Sequence, residues 1–502
     1  MESTVDNGVC QYGYDMFRPP VNRAMRVLDR SFFKKRVPLS AARIPDNKKI
    51  SKIRTELDRS QDLLRQPRIT MKDSSTWGPK VEGLVKAGDA GLIPFDVDLD
   101  YEYWTYHDIM SAILPEDEQD ELPTGFSIVG HVAHFNLREQ YLPYKSLIAT
   151  VLLDKTPTVR TVINKTDDVG THSEFRTFAF EILAGPSDLN VEVKEADCFF
   201  RFDYSKVYWN PRLNTEHRRL VDMFREGEAV CDVMAGVGPF AVPAGKKGVF
   251  VWANDLNPES FASLEDAITR NKVAPFVRAF NQDGHTFIRE SAAALLNTAH
   301  TVTLPPAKQP RHQHQPQSQP ANSSTTPTAS ESQQTPSPSP SSAAPASRAL
   351  TLPRTFSHYV LNLPASALTF LPSFISLYPP SSRPLFHPHT ARKLPMLHVH
   401  TFAIKRDDDG NAEARGQICR EIERQFGWRE GCIEFATGLA DLRTMGKNGK
   451  GGEQGEGEGE GEEGKVDLEM TVWDVRDVAP LKRMFCVSFR LPAEVAFRDA
   501  SS

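Results

Sequence analysis

"VCDVMAGVGPFAVPA", residues 230–244, runs an apolar strand into two glycines and out into a helix, and its reading decides the fold. It contains Gly236-x-Gly238-x-x-Ala241, which satisfies the G-x-G-x-x-G/A pattern of dinucleotide sites. That pattern alone leaves the ligand open, because glycines after a strand let the backbone approach any nucleotide closely. Two features argue against a pyrophosphate. Asp232 sits within the end of the strand, where it would repel a pyrophosphate and welcome a cation, and Pro239 follows the second glycine.

Outward from this loop, from about residue 229, β-like runs alternate with helical ones: "GVFVWAND", "SFASLEDAITRN", "FVRAF", "TFIRESAAALLNTA", "HYVLNL", "MLHVHTFAI", "GQICREIERQFG" and "RMFCVSFRL". The alternation predicts an α/β, doubly wound, mostly parallel sheet. Ligands of such sheets lie outside the carboxyl ends of the strands. Four polar residues reach four successive ends: Asp232, Asp255 in "WANDLNP", Asp283 in "NQDG" and Asn362 in "VLNLP". Asp232 suits the amino group of S-adenosylmethionine, Asp255 the ribose hydroxyls, Asp283 the adenine amine, and Asn362 the neighbourhood of a transferable methyl. Gly236, Gly238, Leu256 and Gly284 complete the expected cofactor edge. Any one acid reads equally well as a helix N-cap; the four together predict an S-adenosylmethionine pocket.

A chain of 502 residues allows roughly two to four domains. The net charge of -6 hides an asymmetry: the run from Arg18 to Lys72 is crowded with Arg and Lys, whereas "GEGEGEGEEG" at 455–464 is acidic. Six scattered cysteines without a C-x-x-C pair indicate neither a structural zinc nor a disulfide framework, and point to a reducing compartment. No stretch of about 18 apolar residues is present, so no membrane partner is expected. The segments 305–347, rich in Pro, Gln, Ser and Thr, and 446–465, rich in Gly and Glu, lack the apolar residues needed to offset ordering entropy and read as disordered insertions. The expected division is a basic extension and first domain over 1–110, an α+β domain over 111–225, and the doubly wound domain over 226–502. The first 45 residues mix Arg with Ser and Phe as matrix-targeting segments do, while Glu2, Asp6, Asp15 and Asp29 run against one. An organelle address and an RNA-facing extension both stand, and the expected location is cytoplasm and nucleus with a mitochondrial matrix pool.

"DVMAGVGPF", "NDLNP", "NQDG" and "NLP", with "GHVAHFNLREQYLPYK", "EFRTFAFEILAG", "DYSKVYWNPRLNTEHRR" and "VRDVAPLKRMFCVSFRLP", resemble the eukaryotic and archaeal tRNA (guanine-N1-)-methyltransferases that modify position 37. The resemblance covers roughly residues 90–490 less the two insertions. It implies a class I, Rossmann-like methyltransferase domain preceded by smaller α+β RNA-binding domains, tRNA-recognising over 1–110 and RNA-binding or connecting over 111–225, with S-adenosylmethionine as cofactor and tRNA as partner; a monomer is expected. The long 305–347 segment departs from the family pattern and should loop outward.

Guanine N1 is protonated at physiological pH, so methyl transfer to it needs a general base. Negative charge then spreads onto O6, where a fixed cation helps most. The resemblance implies that Glu216 accepts the proton, that Tyr208 holds the target base, that Arg176 contacts O6 and that His217 touches the cofactor. Neither a metal nor a covalent nucleophile is expected. His131 and His134 lack a third ligand at suitable spacing and read as structural. A cytosine C5 enzyme would need a cysteine near "NLPA", and an exocyclic-amine methylase an aromatic where Ala365 stands, which leaves a ring nitrogen as target. The rival readings are an aminocarboxypropyl transferase of the wybutosine pathway, a catalytically silent RNA-binding protein, and an NAD dehydrogenase.

Overall fold

The computed structural model describes residues 17–59, 65–66, 69–70, 79–166, 175, 177, 179–304, 348–386, 394–404, 411–433, 469–479 and 481–498. The chain divides into two compact units, one formed by Met1–Val193 with Phe202–Lys206 and the other by Lys194–Arg201 with Val207–Ser502. Most of the segments expected as 1–110 and 111–225 thus fall in the first unit, while Val207 and the residues after it fall in the second.

In the first unit, Lys35–Arg43 pairs antiparallel with Gly91–Leu99 over a register that sets Val37 against Val97. A four-stranded sheet follows, in the order Ser127–Val129, Val132–Phe135, Thr161–Lys165, Phe180–Ala184. The helix Tyr106–Ile113 starts at a reciprocal capping box between Thr105 and Asp108. Its apolar face joins Phe33, Trp104, Leu147 and Val151 in one core. His131 and His134, read as structural, each reach a neighbour there. His131 Nε2 lies 3.1 Å from the Asp188 carbonyl, and His134 Nδ1 lies 3.1 Å from the Tyr204 hydroxyl.

The second unit is built on seven strands: β1 (Ala229–Asp232), β2 (Phe250–Asn254), β3 (Val277–Phe280), β4 (His358–Leu361), β5 (Met396–Ile404), β6 (Met470–Ala479) and β7 (Lys482–Arg490). Their order in the sheet is β3-β2-β1-β4-β5-β7-β6. The first five run parallel, and β7 lies antiparallel to both β5 and β6. This is the class I methyltransferase arrangement. A dinucleotide-binding Rossmann sheet has the order 3-2-1-4-5-6 with no reversed strand inserted, so the topology answers the question raised by the glycine loop. The helices are α1 (Asn214–Met223), α2 (Ala241–Lys246), α3 (Pro258–Arg270), α4 (Gly284–Leu295) and α5 (Ala412–Phe426).

The central strands are apolar on both faces because helices cover both, as parallel sheets require. Their exceptions are the polar residues at the carboxyl ends, among them Asp232 and Asn254. Strand β6 was not anticipated, since "MTVWDVRDVA" alternates too many polar residues to stand out; it forms because β7 offers it a full antiparallel partner. Residues 305–347 lie outside the described residues, but the segments at either end, Thr301–Leu304 and Arg348–Thr351, pair antiparallel with Leu304 opposite Arg348. Among the described residues, no helix is long and apolar enough to cross a membrane.

Candidate active site

The glycine loop joins β1 to α2. Gly238, at φ 94°, packs so closely that an added Cβ would sit 2.7 Å from Leu264 Cδ1 on α3. The amide of Gly236 donates to Asp255 Oδ2 at 2.7 Å, and Asp255 Oδ1 accepts from the Asn257 amide at 2.9 Å. Asp255 therefore clasps the loop to the end of β2. Asn254 does the same for β3: its amide donates to the carbonyls of Val233 and Gln282, each at 3.0 Å.

Asp232 differs from the other acids. It is fully buried, and neither carboxylate oxygen has a hydrogen-bond partner. Burial, with Asp255 adding to it and His400 opposing it, pushes its carboxyl up to about 8. A lone buried carboxylate is costly unless something cationic meets it. Asn362, at the end of β4, likewise holds a buried, unpartnered Oδ1. Gly284 leaves a gap that a Cβ would fill against Phe370 at 2.8 Å and Val233 at 3.2 Å. Leu256 is 50% exposed beside Asp255. Asp283 caps α4, its Oδ1 accepting from the Thr286 amide at 3.0 Å, so the helix-cap reading is correct for this residue whatever else it binds. Orphaned carboxylate, orphaned amide oxygen and glycine cradle fit a cationic nucleoside cofactor.

Glu216 belongs to the first turn of α1, whose start is set by Pro211 and by Asn210, which accepts from the Arg212 amide. Three residues on, Arg219 returns to the same helix face. Its Nε and Nη2 donate to the two Glu216 oxygens at 2.7 and 2.8 Å. On β5, His398 and His400 share one face of the strand, and His400 Nε2 lies 2.9 Å from Glu216 Oε1. Burial alone would raise the Glu216 carboxyl; the hydrogen bonds from Arg219 and His400 outweigh it and bring it down to about 2. Burial would lower His400, but Cys486, opposite it on β7, and Glu216 raise it to about 10.

Register ties these groups to the cofactor edge. Asp232, Val360 and His398 form one row across β1, β4 and β5, so Asp232 and His400 lie toward the same face near the carboxyl ends. His398 is held neutral by burial and by its neighbour His358, with Nδ1 2.7 Å from Ser488 Oγ. The ligand atoms of Glu216, His400 and Cys486 all lie within 4.8 Å of one another, a spacing that could suit a metal. Arg219 already grips both Glu216 oxygens, and a dication would meet that fixed positive charge.

His217 is buried, with Nδ1 2.5 Å from Glu195 Oε1 and its ring edge-on to Phe240 of the glycine loop. Tyr208 is half-buried between the core residues Val207 and Trp209, so it is not itself core. Arg476 stands near it; burial, then Arg212, pull the Arg476 guanidinium down. Arg176, expected at O6, lies outside the described residues. Sequence reasoning missed Arg219, His400 and Cys486. The signal was "HVH" at 398–400, two imidazoles two residues apart on an otherwise apolar strand. A separate cavity of 740 Å³, lined by Ser366, Phe402, Gln417, Arg420, Trp428 and Lys482 among others, includes none of the unpartnered buried atoms.

Comparison with known proteins bears on what such a site does. Residues 106–188 match the family model "TYW2 N-terminal domain" and residues 191–301 match "TRM5/TYW2 methyltransferase domain". A protein of Aspergillus fumigatus named tRNA (guanine(37)-N(1))-methyltransferase is 49% identical over 96% of this chain and 96% of its own. The crystal structure of Trm5b from Pyrococcus abyssi shares the fold with TM-score 0.52 and 18% identity, covering 90% of this chain and 99% of that one. The structure of aTrm5 in complex with tRNALeu superposes with TM-score 0.51 and 14% identity over 90% of this chain and 100% of that one.

Proposed function

This chain belongs to the tRNA (guanine(37)-N(1))-methyltransferase family, and we propose that it transfers the methyl group of S-adenosylmethionine to N1 of guanosine 37 in tRNA. The observation that carries this reading is the pairing of two unlike buried carboxylates in one unit: Asp232, without a partner, and Glu216, held by Arg219 and His400. One suits a cationic cofactor, the other a proton.

The cofactor, when bound, supplies an electrophilic methyl. Asp232 meets its positive charge, and Gly236 and Gly238 let the backbone close on it. Asp255, already clasping the loop, offers its remaining lone pairs to the ribose. Leu256 and Gly284 would flank the adenine and Asp283 would meet its amine, while His217 backs the loop through Phe240. Tyr208 would help hold the target base, with Asn362 beside the methyl. Glu216 takes the N1 proton, and Arg176 steadies the charge on O6. As held by two cationic partners, Glu216 is a weak base, so one of those partners must lose its charge or its contact before it can act.

The relatives' name favours this over aminocarboxypropyl transfer, even though the matching family models carry both family names. The test is incubation with S-adenosylmethionine and unmodified tRNA, followed by nucleoside mapping. N1-methylguanosine at position 37 is expected. An aminocarboxypropyl adduct, or no transfer by protein that binds the cofactor, would overturn the reading.

A further inference from the structure

The buried groups around Glu216 and Asp232 hold two carboxylates against one guanidinium, Arg219. Once Asp232 ionises, near pH 8, one positive charge is missing unless His400 carries a proton. The groups facing His400 are Glu216 and Arg219 from α1, Cys486 from β7, Asp232 from β1 and His398 from its own strand, with the Phe240 ring 6.0 Å away. Its two nitrogens are unlike. Nε2 bonds Glu216 at 2.9 Å, whereas Nδ1 is buried without a hydrogen-bond partner.

We infer that His400 is a positioning residue that arms Glu216: arrival of the cationic cofactor expels the proton from His400 Nδ1, while Nε2–H stays bonded to Glu216. The proposal rests on S-adenosylmethionine being the methyl donor and Glu216 the base. S-adenosylmethionine carries a sulfonium charge that its demethylated product lacks, while both keep the amino group that suits Asp232. Because the methyl must reach the guanine nitrogen whose proton Glu216 takes, the sulfonium competes with His400 for Glu216. Without the donor, His400 is cationic and, with Arg219, pins Glu216 as a poor base. With it, the Nδ1–H bond breaks and the proton passes to solvent. The neutral imidazole still orients Glu216 Oε1, and the carboxylate, relieved of one cation, gains affinity for the guanine proton. After transfer the cofactor's charge is gone, and His400 takes a proton back at Nδ1. The switch thereby holds the base inactive until the methyl donor is in place.

The experiment is calorimetric titration of the full chain with S-adenosylmethionine and with S-adenosylhomocysteine, without tRNA, near pH 8 in buffers of different ionisation enthalpy. S-adenosylmethionine should release on the order of one proton more than S-adenosylhomocysteine. In His400→Gln, whose side-chain amide keeps the hydrogen bond to Glu216, the difference should vanish, and the pH dependence of single-turnover methylation should flatten while transfer persists. Equal proton release by the two ligands in the wild type overturns the inference. So does a difference that survives intact in His400→Gln, which would identify Asp232 as the source. If that variant does not fold, histidine-selective labelling of the wild type decides by nuclear magnetic resonance. One imidazole must be neutral with the methyl donor and cationic with its product, and identical histidine states in both complexes overturn the proposal. Failure of S-adenosylmethionine to bind, or product methylated elsewhere than N1, would instead overturn the functional reading on which it rests.

Discussion

Glu216 is both a structural anion and the proposed base, and its substitution should separate the two duties. Glu216→Gln should slow single-turnover methylation by about 10²–10⁴-fold, the range for losing a general base. The defect should shrink as pH rises, because guanine ionising in solution bypasses the missing carboxylate; equal losses at every pH would mean that Glu216 only positions the base. The same change leaves the buried charges of Arg219 and His400 without their anion, so unfolding in urea should show a loss of about 3–5 kcal/mol. The pair also sets a pH window for stability. His400 is raised from 6.5 to about 10, so its contribution is fully present below 6.5 and is lost as pH climbs toward 10. Glu216 is lowered from 4.5 to about 2, so its contribution is present above 4.5 and is lost as pH falls toward 2. These are two views of one ion pair and are not summed. The contribution of this pair to urea midpoints should be highest between 4.5 and 6.5 and fall on the alkaline side. Asp232, raised from 3.8 to about 8, opposes folding increasingly as pH climbs through that range, so the slope between 8 and 10 is the one that reports His400. His400→Gln should flatten it; an unchanged slope would assign it to other groups.

At the scale of elements, the loop between β1 and α2 depends on its two glycines for different reasons. At Gly236, φ is 57° and an added Cβ meets nothing within 4 Å, so Gly236→Ala should cost only the left-handed backbone strain, about 1–2 kcal/mol. At Gly238 the same strain is joined by contacts at 2.7 Å to Leu264 Cδ1 and 3.0 Å to Val242 Cγ2, which would force those two buried side chains to shift. Gly238→Ala should therefore destabilise more than Gly236→Ala and weaken cofactor binding more, as thermal unfolding and a titration with S-adenosylhomocysteine would show; the reverse order would contradict the packing argument. The pairing of Leu304 with Arg348 makes a second element testable. Replacing 305–347 by Asn-Gly closes a two-residue hairpin between partners already opposite each other, and a shorter loop is closed at lower entropic cost. Methylation should be unaltered and unfolding no earlier. Loss of cofactor binding would show that the segment contributes to the pocket.

For the whole molecule, the proposed tRNA partner requires phosphate contacts that a net charge of -6 does not suggest. Binding should weaken steeply with salt, each phosphate contact adding about 0.7–0.9 to the slope of log affinity against log salt. Within "KKR" at 34–36 the cations differ. Arg36 is engaged by both oxygens of Asp98, at 2.7 and 3.2 Å, and Lys35 by the Arg18 carbonyl at 2.8 Å. Reversing all three charges should reduce the salt slope if the segment meets RNA. Unchanged tRNA affinity together with failed organelle import would make it an address instead.

Alternation of apolar strands and helices, the glycine loop, and polar residues at strand ends are local patterns, and they carried the doubly wound sheet and the expected cofactor edge without any coordinates, whereas the α1 acid came only from the family resemblance of its motif. The reversed β7 and its partner β6 were only half legible, since an edge strand's polar sequence acquires meaning from the neighbour that pairs with it. Glu216 could be chosen from its motif, but its state could not. Its partners stand 3 residues away on α1 and 184 residues away on β5, and only packing α1 onto the sheet brings His400 within 2.9 Å. The residues that bear chemistry are thus written in short stretches of the chain, because each must sit at a strand end or in a helix's first turn. Their charges were decided by the tertiary structure alone, because burial and through-space neighbours set a proton's affinity, and neither follows from distance along the sequence.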